Sequence, residues 1–247
     1  MNYCDGIKQV DMKSPVFIDD AKQKKLCFKR LSETKFNWLP KFKLERVDSP
    51  SGRKYITPEG KSYQSVTTFL GNEAKDDIDA WRKAIGETEA DKISKRAAGR
   101  GTKLHDNIEK YLLNENVEFP LISKLTDYPL FRSVKPLIDE IDNIRLLESP
   151  LYSHTLKLAG TIDCFADFRT IPSIIDFKSS TKLKDKYEID SYFLQTACYS
   201  LMVEERYGIK VNQLVIIIAT EHSRPLVHID QRKNWFAPLR DLLRKGS

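Results

Sequence analysis

Two textures divide the chain. Over 75–98 apolar residues recur at helical spacing: Ile78, Trp81, Ile85 and, past a weak point at Gly86, Ile93 and Ala97. Gly99-Arg100-Gly101 is expected to interrupt that run, with Thr102 capping a second helix over 103–113. Its inward stripe is Leu104, Ile108, Tyr111 and Leu112, and His105 and Glu109 are i,i+4 neighbours on the adjacent stripe. A further helix is predicted over 129–143. From Ile144 the pattern turns to strands, over 145–152, 158–168 and 173–178. A helix over 187–207 follows, with Ile189, Phe193, Ala197 and Leu201 inward and Gly208 closing it. A buried strand over 211–219, a short strand over 225–229 and a terminal helix over 230–243 complete the chain.

Upstream, 42–47 and 53–57 flank Asp48-Ser-Pro-Ser-Gly52 and predict a hairpin or a pair of edge strands. Ser65 is placed to N-cap a helix running through Leu70. Residues 1–40 are polar, with a basic cluster at Lys22, Lys24, Lys25, Lys29 and Arg30, and are read as an arm. The order of elements implies an α/β (α+β) fold, a central mixed sheet flanked by helices, with a helical N-terminal half. Residues 1–62, arm and hairpin, are expected to be peripheral to one main domain over 63–247.

Composition narrows the classes. At 247 residues, 40% hydrophobic and 31% charged, the chain can bury a full core and is not of the disordered class. A net charge of +6 with a pI near 9.0 suits a polyanionic partner. Cys4, Cys27, Cys164 and Cys198 are scattered and form no CxxC pair, which excludes a zinc knuckle or thioredoxin-like motif. No apolar run approaches the roughly 20 residues of a membrane span. The N-terminus lacks an apolar signal core, and Asp11, Asp19 and Asp20 argue against a transit peptide. A cytoplasmic protein with reduced thiols is expected, in a bacterial host or phage-infected cell rather than a mitochondrion.

The unusual stretch is Leu158–Phe168 followed by Ile174-Ile-Asp176-Phe-Lys178. In a strand, residues two apart share a face, so Asp176 and Lys178 emerge together. Asp163 sits within the preceding apolar strand. Carboxylates and an ammonium in such strands need pairing or a metal. Two carboxylates about 4 Å apart at an effective dielectric near 20 repel by roughly 4 kcal/mol, which a divalent cation would reverse. Asp163 and Asp176 are candidate ligands of Mg²⁺ or Mn²⁺, with the Phe177 carbonyl as a further oxygen. Lys178 would hold the attacking water or stabilise the phosphorane. Glu148 is an extra ligand or water-orienting group, and His105 would reach in from its helix.

These residues resemble the PD-(D/E)XK nuclease superfamily in its RecB-like exonuclease form. The resemblance is carried by Gly160-Thr-Ile-Asp163 with Ile175-Asp176-Phe-Lys178, by Gln195-Thr-Ala-Cys-Tyr199 and by Gly101-Thr-Lys-Leu-His105. Tyr63-Gln-Ser-Val-Thr-Thr-Phe-Leu70 and Leu147-Glu148-Ser149 extend it toward the mitochondrial genome-maintenance exonucleases and their phage relatives. It covers the chain from about Tyr63 onward and lacks the signature proline, Ile162 preceding Asp163. It implies a restriction-endonuclease-like core and an exonuclease on single-stranded DNA with free ends, using one or two Mg²⁺ or Mn²⁺ ions. Asp163, Asp176 and His105 then bind metal, and Lys178, His105, Glu148, Gln195 and Tyr199 form the catalytic set. Some relatives hold an iron–sulfur cluster on closely spaced C-terminal cysteines; no cysteine follows Cys198, so none is expected here.

Phosphate contacts are expected from Arg96, Arg100, Lys103 and the Lys182, Lys184 and Lys186 loop, with Arg100 foremost beside its glycines. Trp38, Tyr55 and Trp81 are candidate base-stacking residues. A monomer is favoured over an oligomer. An endonuclease on the same core, a non-catalytic DNA-binding recombination accessory protein and a metal-free buried ion network are the competing readings.

Overall fold

The computed structural model describes residues 26–28, 30, 34–73, 75–119, 127–181, 186–220 and 224–245. Strand β1 (Leu26–Phe28) is followed by the antiparallel meander β2 (Glu45–Ser49), β3 (Gly52–Ile56) and β4 (Ser62–Ser65). The expected hairpin is present, and Gly52 takes the positive φ of 108° at its turn. Helix α1 (Val66–Glu73) starts where predicted: Ser65 Oγ accepts the Thr68 N–H at 3.0 Å. Then come α2 (Lys75–Ile85), α3 (Glu87–Leu112), β5 (Val117–Phe119), which pairs with β1, and α4 (Asp127–Ile138). The strands β6 (Ile141–Ser153), β7 (Leu158–Phe168) and β8 (Ile171–Ser180) form an antiparallel unit. Helix α5 (Lys186–Tyr207) is the crossover that lets β9 (Gln213–Thr220) pair with β8 in parallel. β10 (Leu226–Gln231) and α6 (Phe236–Lys245) end the described chain.

Three of the boundaries that differ from the expectation have a physical reason. α3 runs unbroken through Gly99-Arg100-Gly101, and the break falls at Gly86, whose φ is 87°. A helical glycine costs about 1 kcal/mol against alanine. Burial of Leu104, Ile108, Tyr111 and Leu112 one turn later outweighs that. α4 stops at Ile138 because Ile141 and Ile144 are buried in β6, and Arg30 reaches across to donate to the Asp139 carbonyl at 3.1 Å. The terminal helix starts at Phe236 because Leu226–Gln231 pairs with β9 over its whole length.

Helices cover both faces of the sheet. One core joins α3 and α4 to Cys164, Phe177 and Ile217; the other joins α1, α5 and α6 to Ile162, Ile174 and Ile216. α2 buries none of its residues, and Ile78, Trp81 and Ile85, with Ile93 of α3, stand exposed.

The feature that positions the site is a fork at β7. One edge of β7 carries β6 along its length. On its other edge β8 pairs only up to Cys164↔Ile175, while β4 pairs in parallel at Leu158 and Ala159. Residues 160–163 pair with neither, and beyond Ile175 strand β8 follows β9 alone. A gap therefore opens in the sheet between Gly160–Asp163 and Asp176–Ser180.

Candidate active site

Asp163 lies at the throat of this gap, and its Oδ2 accepts the Phe177 N–H at 2.8 Å. Alternation along β8 sends Phe177 into the core under α3 and α4 and sends Asp176 and Lys178 toward α5. Asp176 Oδ1 accepts from Lys178 Nζ at 2.6 Å and from Gln195 Nε2 at 2.7 Å. Lys178 Nζ also rests 5.1 Å from the centre of the Tyr192 ring, one turn before Gln195 on α5. Tyr199, one turn after Gln195, is buried against Gly160: a Cβ at Gly160 would lie 2.6 Å from Tyr199 Oη. The glycine is what lets α5 approach the gap.

From the opposite face α3 supplies His105. Its Nε2 bonds the Phe177 carbonyl at 2.9 Å, and its Nδ1 lies 3.1 Å from Glu148 Oε1 and 3.8 Å from Asp163 Oδ2. One donor atom from each of His105, Glu148 and Asp163 falls within 4.8 Å of the others. Glu148 reaches them from β6, opposite Asp163 in the β6–β7 register, with a left-handed φ of 40° that costs a non-glycine residue about 1–3 kcal/mol. A cleft of about 370 Å³ opens beside them, lined by Gly101, Thr102, His105, Asp106, Glu109 and Glu148.

The electrostatics follow from that crowding. Burial alone would depress the His105 pKa, but Asp163 and Glu148 outweigh it and hold the value up at about 9. Burial pushes Asp176 up to about 6; Lys178 opposes that rise and Asp163 adds to it. Burial works against the charge of Lys178, yet Asp176 and Asp163 raise its pKa, so the ammonium stays charged. The Tyr199 phenol is raised well above its ordinary value by burial and then by the two aspartates, and stays neutral.

These donors fit a hard divalent cation. Two carboxylates and an imidazole converge within 4.8 Å. Asp176, buried beside them, is neutralised by Lys178, whose Nζ lies 2.5 Å from Oδ2 and 2.6 Å from Oδ1. The Phe177 carbonyl, expected to face a metal, accepts the Nε2–H of His105 instead, which turns Nδ1 toward the acids.

The structure thus gathers His105, Glu148, Asp163, Asp176, Lys178, Gln195 and Tyr199 around one gap. Arg96, Arg100 and Lys103 lie on the turns of α3 before and beside His105, Arg96 and Lys103 exposed and Arg100 half-buried. Lys182 and Lys184 lie outside the described residues, and Lys186 opens α5 exposed. Tyr55 is a core residue at 4% exposure, hence no stacking surface, while Trp38 and Trp81 are exposed. Tyr192 went unnoticed in the sequence; its i,i+3 spacing to Gln195 was the available signal.

Comparison with known proteins gives a consistent but distant likeness. The human mitochondrial genome maintenance exonuclease 1 is 24% identical over 207 residues, 76% of this chain and 60% of the relative. The mouse protein of the same name is 23% identical over 211 residues with the same coverage, and the Xenopus tropicalis protein 31% over 97 residues. The chain thus spans about 60% of the length of the human and mouse relatives. Among solved structures, one from Eubacterium rectale overlaps 58% of this chain and 63% of its own at a TM-score of 0.35 and 13% identity, too slight a likeness to carry any argument. No family model matches the chain. Among the described residues no helix is long and apolar enough to cross a membrane.

Proposed function

We propose that this chain is a metal-dependent DNA exonuclease of the PD-(D/E)XK type. It hydrolyses phosphodiester bonds of single-stranded DNA from free ends, in replication, recombination or repair. The observation that carries the proposal is the convergence of Asp163, Asp176 and Lys178 on a gap in the sheet that His105 and Glu148 close from the other face. Relatives named as exonucleases, aligned over 76% of the chain, support it. A monomer in a cytoplasmic setting belongs to the same proposal.

Asp163, Glu148 and His105 would hold Mg²⁺ or Mn²⁺, and Asp176 would be a further carboxylate ligand. An imidazole among carboxylates favours Mn²⁺ over Mg²⁺. A bound divalent cation polarises a phosphoryl oxygen and lowers the pKa of water toward neutrality. Gln195 anchors Asp176 through Oδ1, and Lys178 pairs with its Oδ2. Lys178, kept cationic by that carboxylate, orients the attacking water and neutralises charge that builds on the phosphorane. His105, fixed through the Phe177 carbonyl, keeps Nδ1 toward Asp163 and Glu148. Arg96, Arg100 and Lys103 of α3, with Lys182 and Lys184, are proposed to contact phosphates of the strand.

A time course with Mn²⁺ on end-labelled linear and on closed circular single-stranded DNA tests the cutting mode. Progressive loss of the linear strand with the circle intact is expected. Efficient cutting of the circle would replace the exonuclease by an endonuclease on the same core.

A further inference from the structure

We infer that Phe36 and Trp38 form a base-stacking platform for single-stranded DNA on the outer edge of β6, the strand that carries Glu148, an inference that rests on the nuclease reading above. Both rings are large and exposed, Phe36 at 38% and Trp38 at 45%. They are not loose: the rings stack on each other at 5.0 Å between centroids and 12° between planes. Their backbone is fixed along the outer edge of β6, where Asn37 N–H donates to the Ile144 carbonyl at 2.8 Å and Leu39 N–H to the Arg145 carbonyl at 2.9 Å. The Ile144 N–H returns a bond to the Lys35 carbonyl at 2.9 Å. A rigid, pre-stacked aromatic pair at the surface loses little conformational entropy when a third ring joins the stack.

Charge selects the ring. Residues 34–43 hold three lysines, Lys35, Lys41 and Lys43, and no acid. Lys41 Nζ lies 5.8 Å from the Trp38 ring centre and donates to the Leu147 carbonyl at 3.1 Å. Leu147 directly precedes Glu148, so this ammonium bridges the platform and the strand that carries a site carboxylate. A nucleobase stacked on Trp38 would bring its phosphate to Lys41, with Lys35 and Lys43 exposed to either side. An apolar protein partner would leave these lysines against an unmatched surface, whereas a polyanion with π faces satisfies both features.

The test uses the whole chain in the Asp176→Asn background, so that oligonucleotides stay intact, and measures binding of a labelled single strand. Trp38→Ala should weaken binding roughly 5- to 150-fold, the equivalent of about 1–3 kcal/mol for one stacked base. Trp38→Phe should recover most of it, with unchanged circular dichroism in both. A series of strands with one abasic nucleotide moved along the sequence should show a position whose loss weakens the Trp38 protein by the same factor and leaves Trp38→Ala indifferent. Equal affinity of Trp38, Trp38→Ala and Phe36→Ala proteins for every strand would overturn the platform. So would a Trp38-dependent dimer in light scattering that DNA does not dissociate, which would make the pair a contact between copies. Failure of the chain carrying Asp176 to degrade DNA with Mn²⁺ would instead strike the nuclease reading.

Discussion

Asp163 Oδ2 accepts the main-chain N–H of Phe177 at 2.8 Å, two residues past Ile175, where the β7–β8 ladder has ended. A side chain here takes over the role of a missing sheet hydrogen bond, and the same carboxylate faces His105. Its structural and chemical duties are separable. Asp163→Asn keeps an oxygen for the Phe177 N–H, whereas Asp163→Ala leaves a buried donor unpaired. Both should lose more than about a hundredfold in cleavage, since even outer-sphere partners of a metal cost 10–100-fold. In denaturant titrations Asp163→Ala should be less stable than Asp163→Asn by about 1–3 kcal/mol.

Gly160 and Tyr199 make a second separable pair. A methyl group at position 160 would meet Tyr199 Oη at 2.6 Å and two ring carbons at 3.2 and 3.3 Å, on a buried helix. Gly160→Ala should lower stability by about 1–3 kcal/mol. In the Tyr199→Leu background the same change should cost clearly less, and strict additivity in that cycle would show that the two do not collide.

His105 makes the metal-free protein sensitive to alkali. Its folded pKa of about 9 lies above the ordinary 6.5, held there against burial by Asp163 and Glu148. The raised pKa means the folded state binds the proton more tightly. That stabilisation is complete below pH 6.5 and is lost as pH rises through 9. The melting temperature in chelator should therefore fall between pH 6.5 and 9 by the equivalent of about 1–3 kcal/mol. His105→Gln should flatten the slope. Saturating Mn²⁺ should flatten it too, because a metal takes the proton's place on Nδ1.

Much of this site could be seen in the chain before any fold was known, and the reasons are local. Asp176 and Lys178 stand two apart in an apolar strand, so alternation alone places them together, and Gln195 and Tyr199 are i,i+4 on one helix face. Ser65 and Gly208 cap helices with the chemistry their residue types supply. What stayed hidden depends on long-range packing. The unbroken course of α3 through two glycines follows from burial one turn later, and Trp81 and Ile85 sit at helical spacing yet find no sheet to cover them. The left-handed φ of Glu148 and the fork that leaves 160–163 unpaired arise from the meeting of three strands, which no single strand's pattern encodes.

Asp176 and Lys178 are proposed to hydrolyse DNA with a divalent cation. This is tested most directly by following an end-labelled single strand with the unaltered chain, Asp176→Asn and Lys178→Ala, each with Mn²⁺ and with a chelator. Cleavage by the unaltered chain with Mn²⁺ alone is expected, and loss of cleavage in both variants while each still retards the strand in a gel. Cleavage that survives the chelator, or that persists in both variants, would contradict the proposal.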